Sequence, residues 1–443
     1  MNLATAPRVR SNLVHQLELY NYTVRDLRLG EETNWAEGVL TVNAEALKKH
    51  LIAEAGVRRM GIAVARPGES ARIVNILDAI EPRVKPDNGQ IFPGFLGAMD
   101  GTVGRGVTHA LNGCAVLICG SVPGEVASQV VSEAMVDMTG PGARYSPFSR
   151  TRNLILWCDF YDDHDPVKRV SVARYAGLLA ARWLAAATLD HAPDEIRIYG
   201  VPENNSSPKK QVPQVVYICP GMLLSDLHQT FLSGSALTST PTVVHPTQLM
   251  DGLLVSGNYD IGATRNPTYL YQRSPIVEEL FSYQEKGLLS FMGVIVTKCL
   301  IEGFFGKQRS AYLAAQTARL LDADGVVISI EECGHAYADQ MLTCQACEEM
   351  GVKTVLIMAE SAGATGAKPG PIAFAEAADA VISVGNMDEV VSLPAVEAIY
   401  GGPWSCGRWM MERMALEAME TPLANIFAAT SQMGAGRLKG ETR

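Results

Sequence analysis

The chain has 443 residues, 47% of them hydrophobic and 19% charged, which is ordinary for a globular protein of roughly two or three domains. A formal net charge of −10 without any cluster of Lys and Arg argues against a nucleic-acid surface. The longest apolar stretch, residues 177–189, is interrupted by Arg182, and no apolar segment follows the arginines of residues 1–10. We therefore expect a cytoplasmic protein that binds neither nucleic acid nor membrane.

The first half of the chain changes character once. Residues 16–165 contain short apolar runs separated by Gly and Pro, a pattern typical of strands and turns. Residues 166–192 start with a proline and then repeat apolar residues at helical spacing, at Val170, Ala173, Leu178, Ala181 and Leu184. We predict a β-rich N-terminal domain over residues 1–165, followed by a helix and linker over residues 166–211.

The second half alternates apolar runs with helical patterns. Strands are predicted at 215–219, 242–244, 291–296, 325–330, 354–358 and 380–384, and helices at 310–321, 338–350 and 372–378. Such alternation indicates a parallel sheet covered by helices on both faces. The predicted fold class is therefore α/β. It comprises the β-rich N-terminal domain and a doubly wound, mainly parallel α/β domain over residues 212–443, with a helical tail at the C-terminus.

Several short motifs, collinear from residue 16 to about residue 390, carry a family resemblance. They are EPRVK at 81–85, IFPG at 91–94, THAL at 108–111, VDMTG at 136–140, YSPFS at 145–149, PTQLMDG at 246–252, NPTY at 266–269, DGVVIS at 324–329 and GVKTV at 351–355. In these motifs the chain resembles the proprotein subunit of component B of the glycine, sarcosine and betaine reductases. The D-proline reductase proprotein is a more distant likeness.

The resemblance implies a chemistry that one residue interrupts. Members of this family cut their own chain before a cysteine in a Gly-Asn-Cys sequence, and that cysteine becomes a pyruvoyl group. The pyruvoyl carbonyl accepts an amine, which helps a selenolate or thiolate on a partner subunit to displace nitrogen. The matching position here is Tyr259, after Gly257 and Asn258. A phenol can neither attack the preceding carbonyl nor be eliminated, so we predict no self-cleavage and no pyruvoyl group.

Two interpretations of Tyr259 stay open. The side chain either fills the space where the cut termini would lie, or lines the inherited pocket as a donor or stacking surface. In the second case Asn258, Tyr259 and Arg265 are the predicted substrate-binding residues, and Arg265 would pair with a substrate carboxylate.

A second candidate site follows the strand predicted at residues 325–330. Ligands of doubly wound sheets bind outside the carboxyl ends of the strands, where Glu331, Glu332, Cys333 and His335 lie. Asp339 is predicted to cap the next helix. That helix carries Cys344 and Cys347 on one face because they are three residues apart.

This second site has three interpretations. Cys333, His335, Cys344 and Cys347 could bind zinc or iron. Alternatively, Cys333 is a catalytic thiol activated by His335, or the thiols form a redox pair. Glu331 or Glu332 could then act as the catalytic base. In the third interpretation Met341, Cys344 and Cys347 form a stripe of the helix core and Cys333 fills a gap.

The resulting functional hypothesis is a subunit resembling glycine/sarcosine/betaine reductase component B, uncleaved and lacking pyruvoyl. It would be an oxidoreductase subunit of amino-acid metabolism that binds a small amine or amino-acid-like substrate. A second, thiol- or selenol-bearing subunit would complete a hetero-oligomer. The alternatives are a non-catalytic scaffold subunit of a reductase-like complex and a metal-dependent enzyme that uses the Cys333 and His335 loop.

Overall fold

A computed structural model describes residues 13–120, 134–202, 212–259, 261–367, 373–407 and 411–436. The elements that precede residue 212 are β1 Leu13–Thr23, β2 Asp26–Leu29, β3 Asn34–Ala36, β4 Val39–Val42, α1 Ala44–Ala55, β5 Arg59–Ala65, β6 Ala71–Ile73, β7 Ile76–Ile80, β8 Arg83–Val84, β9 Gly106–Asn112, β10 Cys114–Cys119, β11 Val136–Asp137, α2 Gly140–Ala143, β12 Arg152–Asp159, α3 Pro166–Ala186 and β13 Glu195–Pro202, with a 3-10 helix at Pro147–Ser149.

The later elements are β14 Gln214–Ser225, β15 His228–Gln229, β16 Phe231–Leu232, β17 Ser235–Ala236, β18 Thr242–Val244, α4 Pro246–Met250, β19 Leu254–Val255, α5 Thr268–Gln272, α6 Pro275–Glu285, β20 Ser290–Cys299, α7 Phe304–Leu320, β21 Gly325–Ile328, α8 His335–Glu349, β22 Lys353–Glu360, β23 Val381–Asn386, β24 Val390–Leu393, β25 Ala398–Tyr400, β26 Trp404–Gly407, β27 Met411–Met414 and β28 Met419–Pro422, with a 3-10 helix at Leu423–Asn425. None of the described helices is long and apolar enough to cross a membrane.

The N-terminal part contains two four-stranded sheets, in the orders β13-β1-β9-β8 and β5-β12-β10-β7. The helix α3 packs against strands of both sheets. Its start is well defined, because Pro166 opens it and the Asp165 side chain accepts a hydrogen bond from the Lys168 amide at 2.8 Å. The predicted long helix is thus confirmed, although it ends at Ala186 rather than at residue 192.

Two helices of this part, α1 and the short α2, were missing from the sequence interpretation. The helix α1 lies within the region interpreted as strands and turns. Its signals are present in the sequence, since Asn43 caps the N-terminus and Gly56 ends it with φ +72°.

The largest sheet has the order β18-β20-β14-β21-β22-β23. The five strands from β20 to β23 run parallel, whereas β18 pairs antiparallel with β20 at the edge. The structure therefore confirms a mixed α/β protein with a mainly parallel sheet in its second half. The doubly wound arrangement and the domain division stay predictions.

Two predicted elements of the second half are corrected. Residues 373–378 form no helix, and residue 372 lies outside the described residues. The small residues Ala375 and Ala378 are instead buried in the cluster that contains α8. They are joined by one turn, in which the Ala378 amide donates to the Ala375 carbonyl at 3.0 Å. The C-terminal tail is not helical in residues 411–436, which form β27, β28 and a 3-10 turn.

The C-terminal segment returns to the N-terminal part. Strand β25 pairs parallel with β6, so that Ile399 lies opposite Arg72. Farther along, the Phe427 amide donates to the Met135 carbonyl at 2.9 Å. The Ala263 amide donates to the Ala424 carbonyl at 3.0 Å, and the Ala428 amide donates to the Gly262 carbonyl at 2.9 Å, which places residues 423–433 beside the segment that follows β19.

Candidate functional site

Glu331 connects the two regions that the sequence singled out. It follows β21, and its side chain is fully buried. Its Oε1 accepts a hydrogen bond from Nδ2 of Asn258 at 3.3 Å and another from the Asn266 amide at 3.2 Å. The loop after β21 and the segment after β19 are therefore parts of one site.

The other oxygen of Glu331 is also occupied. Its Oε2 accepts from the Met222 amide and from Oγ1 of Thr230, both at 2.8 Å, and from the Tyr271 hydroxyl at 3.2 Å. Five donors thus converge on one carboxylate, which offers about four lone-pair positions. Glu331 is arranged to hold Asn258 in place, a role that suits it better than proton abstraction.

The C-terminal segment holds both sides of this site. The Ser431 hydroxyl donates to Oδ1 of Asn266 at 3.0 Å, and Nε2 of Gln432 donates to the Glu332 carbonyl at 2.6 Å. Glu332 has φ +84°, a left-handed conformation that costs a residue with a side chain about 1–3 kcal/mol. The Gln432 contact helps to maintain that conformation.

Tyr259 is buried, and its hydroxyl contacts a cation. Nη2 of Arg174, on α3, donates to the Tyr259 hydroxyl at 3.1 Å. Burial raises the pKa of the Tyr259 phenol, while the charge of Arg174 lowers it by a smaller amount. The phenol is consequently a neutral hydrogen-bonding group at physiological pH.

Gly257 allows the cation to come this close. A Cβ at residue 257 would lie 2.7 Å from Nη2 of Arg174, 2.9 Å from Cε2 of Phe231 and 2.4 Å from the Gln229 carbonyl oxygen. The Arg174 guanidinium lies over the Phe231 ring, 4.3 Å from its centroid. The glycine before Asn258 is therefore a packing requirement of the site.

Arg265, the predicted carboxylate ligand, is fully buried. Its Nη1 donates to the Ile76 carbonyl at 2.7 Å, and its guanidinium lies 5.5 Å from the Phe427 ring centroid. Arg265 thus connects the segment after β19 with β7 and the C-terminal segment.

Cys333 and His335 lie on either side of Gly334 at the start of α8. Gly334 is the N-cap residue, and no side chain of the described residues caps the helix. Cys333 is half-buried with Sγ 3.6 Å from Oε1 of Glu332, whereas His335 is exposed. The positive end of the helix dipole at this terminus attracts negative charge.

The metal prediction is not supported. Within the described ranges, no three or more His, Cys, Asp or Glu residues are grouped to hold a metal ion. Cys344 and Cys347 do share one face of α8, but that face is buried, and Sγ of Cys344 lies 3.2 Å from Oγ1 of Thr354 on β22. Burial raises the pKa of the Cys347 thiol to about 12. The core-stripe interpretation, which includes Met341, describes α8 instead.

Asp339 does not cap α8, because the helix begins four residues earlier at His335. Its Oδ2 instead pairs with Nζ of Lys307 at 2.7 Å and accepts from the Leu300 amide at 2.9 Å. Burial raises the Asp339 pKa, and the Lys307 ammonium opposes that shift. Asp339 links the two helices α7 and α8.

The sequence interpretation missed Arg174 and Asp78. Arg174 is four residues after Val170 and four before Leu178, so it lies within the apolar stripe of α3 that the sequence revealed. An arginine inside an apolar stripe is a signal for a functional cation. Asp78, within the apolar strand β7, is fully buried and accepts from the Thr268 amide at 2.9 Å and hydroxyl at 2.6 Å.

Comparisons with known proteins identify the family. Residues 15–439 match the family of glycine/sarcosine/betaine reductase component B subunits. The chain is 34% identical over 439 residues to glycine reductase complex component B subunits alpha and beta of Acetoanaerobium sticklandii, covering 96% of this chain and 100% of that relative.

Two further relatives come from Peptoclostridium acidaminophilum. The sarcosine reductase complex component B subunit alpha is 34% identical, with 87% of this chain and 89% of the relative covered. The betaine reductase complex component B subunit alpha is 30% identical, with 87% of this chain and 88% of the relative covered. No solved structure matches the chain significantly. The chain therefore belongs to the family of glycine/sarcosine/betaine reductase component B subunits.

Proposed function

We propose that this protein is an uncleaved component B-like subunit without a pyruvoyl group. It binds a small amine or amino-acid-like substrate and supports thiol-dependent reductive cleavage of a C–N bond with a thiol- or selenol-bearing partner subunit. The observation that carries the proposal is the placement of Asn258 and Tyr259, between Glu331 on one side and Arg174 on the other.

A tyrosine at residue 259 is not chemically suited to form a pyruvoyl group. Forming that group requires a nucleophile that attacks the preceding carbonyl and then leaves, and a phenol does neither. The Tyr259 hydroxyl is moreover engaged by Arg174 within a buried, packed setting. No step of the proposed reaction therefore passes through a pyruvoyl carbonyl.

The reaction needs a nucleophilic sulfur or selenium and a reductant. A thiolate or selenolate attacks the carbon that bears nitrogen, a C–S or C–Se bond forms, and the C–N bond breaks as the amine leaves with its electron pair. A second thiolate then attacks that sulfur or selenium while the carbon takes a proton. The substrate is thereby reduced, and the two thiol groups are oxidised to a disulfide or selenosulfide.

The residues have distinct proposed roles. Asn258 and Tyr259 contact the substrate, and the buried Arg265 adds positive charge to the same part of the site. Glu331 positions Asn258, while Cys333 offers a thiol at the start of α8 with the His335 imidazole as its proton acceptor. The half-buried position of Cys333 supports its role, because seven other cysteines are buried, namely Cys114, Cys119, Cys158, Cys219, Cys299, Cys344 and Cys347.

A scaffold without its own chemistry is the second candidate. It is favoured by the saturated hydrogen bonding of Glu331 and by the phenol that fills the position of the reactive group. In this case the chain would keep the assembly with a partner subunit and contribute no catalytic side chain.

Intact-mass measurement tests the central claim. The purified wild-type protein should give one species near 47.7 kDa, and two fragments that meet between Asn258 and Tyr259 would overturn it. To separate enzyme from scaffold, the complex purified through a tag on this chain is assayed for amine release from glycine, sarcosine and betaine, with dithiothreitol as reductant. Loss of release in Cys333→Ser supports the enzyme, whereas release that is unchanged in both Cys333→Ser and Arg265→Gln supports the scaffold.

A further inference from the structure

Arg174 is a buried cation without a carboxylate partner. It lies on α3 with 5% of its surface exposed, and no carboxylate of the described residues lies within salt-bridge distance. Two other buried arginines do have a carboxylate partner, since Arg72 pairs with Asp137 and Arg83 with Glu81. In each pair the distance from Nε to a carboxylate oxygen is 2.6 Å. A buried charge without a counter-ion costs several kcal/mol, so its retention calls for an explanation.

The unsatisfied part of Arg174 is one specific edge. Nε and Nη2 of a guanidinium form the side that binds a carboxylate with two parallel hydrogen bonds. In Arg72 this edge holds both oxygens of Asp137, at 2.6 and 2.9 Å, and in Arg58 it holds both oxygens of Asp159, at 2.9 and 2.6 Å. In Arg174 the same Nη2 donates to the Tyr259 hydroxyl, and Nε has no hydrogen-bond partner among the described residues.

Asp78 is an acidic residue that interacts electrostatically with Arg174, but its carboxylate does not bind the Nε–Nη2 edge. Its oxygens accept from the Thr268 amide and hydroxyl and from the Ala79 amide. Burial raises the pKa of Asp78 to about 7. Asp78 is therefore only partly ionised at neutral pH, and it compensates the guanidinium incompletely.

The surroundings hold the guanidinium in one orientation. Its flat face lies on the Phe231 ring, and the missing Cβ of Gly257 leaves room for Nη2 beside the backbone. The Nε–Nη2 edge thus lies beside the Tyr259 hydroxyl, with Nε still without a hydrogen-bond partner among the described residues. A fixed fork of donors beside a hydroxyl matches a planar carboxylate.

We propose that the Nε–Nη2 edge of Arg174 receives the carboxylate of a small substrate, with the Tyr259 hydroxyl as an additional contact. The inference rests on the proposed function, because it names the group of the substrate that the site recognises. It also assigns to Arg174 the carboxylate role predicted for Arg265, whose Nη1 already donates to the Ile76 carbonyl. The ligands of this class carry a carboxylate on a short aliphatic chain next to an amine or quaternary ammonium.

Titration calorimetry with matched ligand pairs tests the proposal. Betaine is compared with choline and glycine with glycinamide, since each pair differs mainly in the carboxylate. Wild-type protein should bind the carboxylate member more tightly, and Arg174→Gln should weaken that binding by at least about 30-fold, because a charged hydrogen-bonding partner is lost. Arg309→Gln, at an exposed arginine of α7, is the control and should leave the preference for betaine over choline in place.

Three results would overturn the inference. They are equal binding of betaine and choline by the wild type, no binding of either carboxylate, and a preference for betaine over choline that Arg174→Gln retains. The comparison of ligand pairs in the wild type decides the first two results without any variant, so neither depends on the folding of Arg174→Gln. None of them bears on the proposed absence of cleavage, which intact mass decides separately.

Discussion

Nδ2 of Asn258 donates to Oε1 of Glu331 at 3.3 Å, across 73 residues of sequence. This contact joins the segment around Tyr259 to the loop that carries Cys333. The relationship explains why an acidic residue is fully buried at the carboxyl end of β21. Its function is to fix the residue next to Tyr259.

Glu331→Gln should destabilise the protein and loosen this contact. The side-chain nitrogen of the glutamine would replace one carboxylate oxygen and face two or three hydrogen-bond donors. The donors left without an acceptor cost about 2–4 kcal/mol of stability in total. Chemical denaturation followed by fluorescence measures the change in free energy of unfolding. Glu376→Gln, an exposed glutamate, is the control and should change it by less than about 0.5 kcal/mol. Equal effects of the two variants would contradict the role of Glu331.

The sequence was sufficient to find both halves of the site but not their contact. Asn258 and Tyr259 were recognised from the Gly-Asn motif, and Glu331 from its position after a strand. Their adjacency depends on the strand order β20-β14-β21, which places Met222 and Thr230 around the same carboxylate. Spacing along the chain contains no information on such non-local pairing, and the C-terminal residues Ser431 and Gln432 could not be assigned to the site for the same reason.

The errors in the fold have local physical causes. In residues 373–378 the alanines resemble a helix face, but a run this short gains little from helix formation, and tertiary burial of Ala375 and Ala378 decides its conformation. The paired cysteines of α8 were correctly placed on one face. Their chemistry depended on what that face contacts, and Thr354 of β22 lies there rather than a metal ligand.

Asp78 should make stability depend on pH. Its folded-state pKa of about 7 lies above the ordinary value for aspartate, so between pH 4 and pH 7 the folded state holds a proton that the unfolded state has released. The contribution of Asp78 is therefore fully present below about pH 4 and is lost as the pH rises through 7. Asp78→Asn removes this titration. The free energy of unfolding of the wild type minus that of Asp78→Asn should decrease from pH 4 to pH 7. A difference that stays constant over this range would refute the raised pKa of Asp78.

Cys333 should be the first of the site's cysteines to react. It is half-buried at a helix start, whereas Cys344 and Cys347 are buried and burial raises the pKa of both thiols. Brief treatment of native protein with iodoacetamide, followed by peptide mass mapping, should label Cys333 well before the other two. Cys333→Ser should leave Cys344 and Cys347 unlabelled. Early labelling of either buried thiol would show that α8 opens more easily than its packing implies.

Gly257→Ala should disturb the contact between Arg174 and Tyr259. The added Cβ would lie 2.4 Å from the Gln229 carbonyl oxygen and 2.7 Å from Nη2 of Arg174, so the backbone or the guanidinium has to move. Overpacking of this kind costs roughly 1–3 kcal/mol. The loss should appear in the free energy of unfolding.

Gly101→Ala is the matched control for that substitution, because a Cβ at residue 101 meets no atom within 4 Å. It should leave the free energy of unfolding within about 0.5 kcal/mol of wild type. Betaine binding adds a second measurement, since a displaced guanidinium would weaken it in Gly257→Ala but not in Gly101→Ala. If Gly257→Ala keeps wild-type stability and binding, the close approach of Arg174 to the segment before Tyr259 is not required.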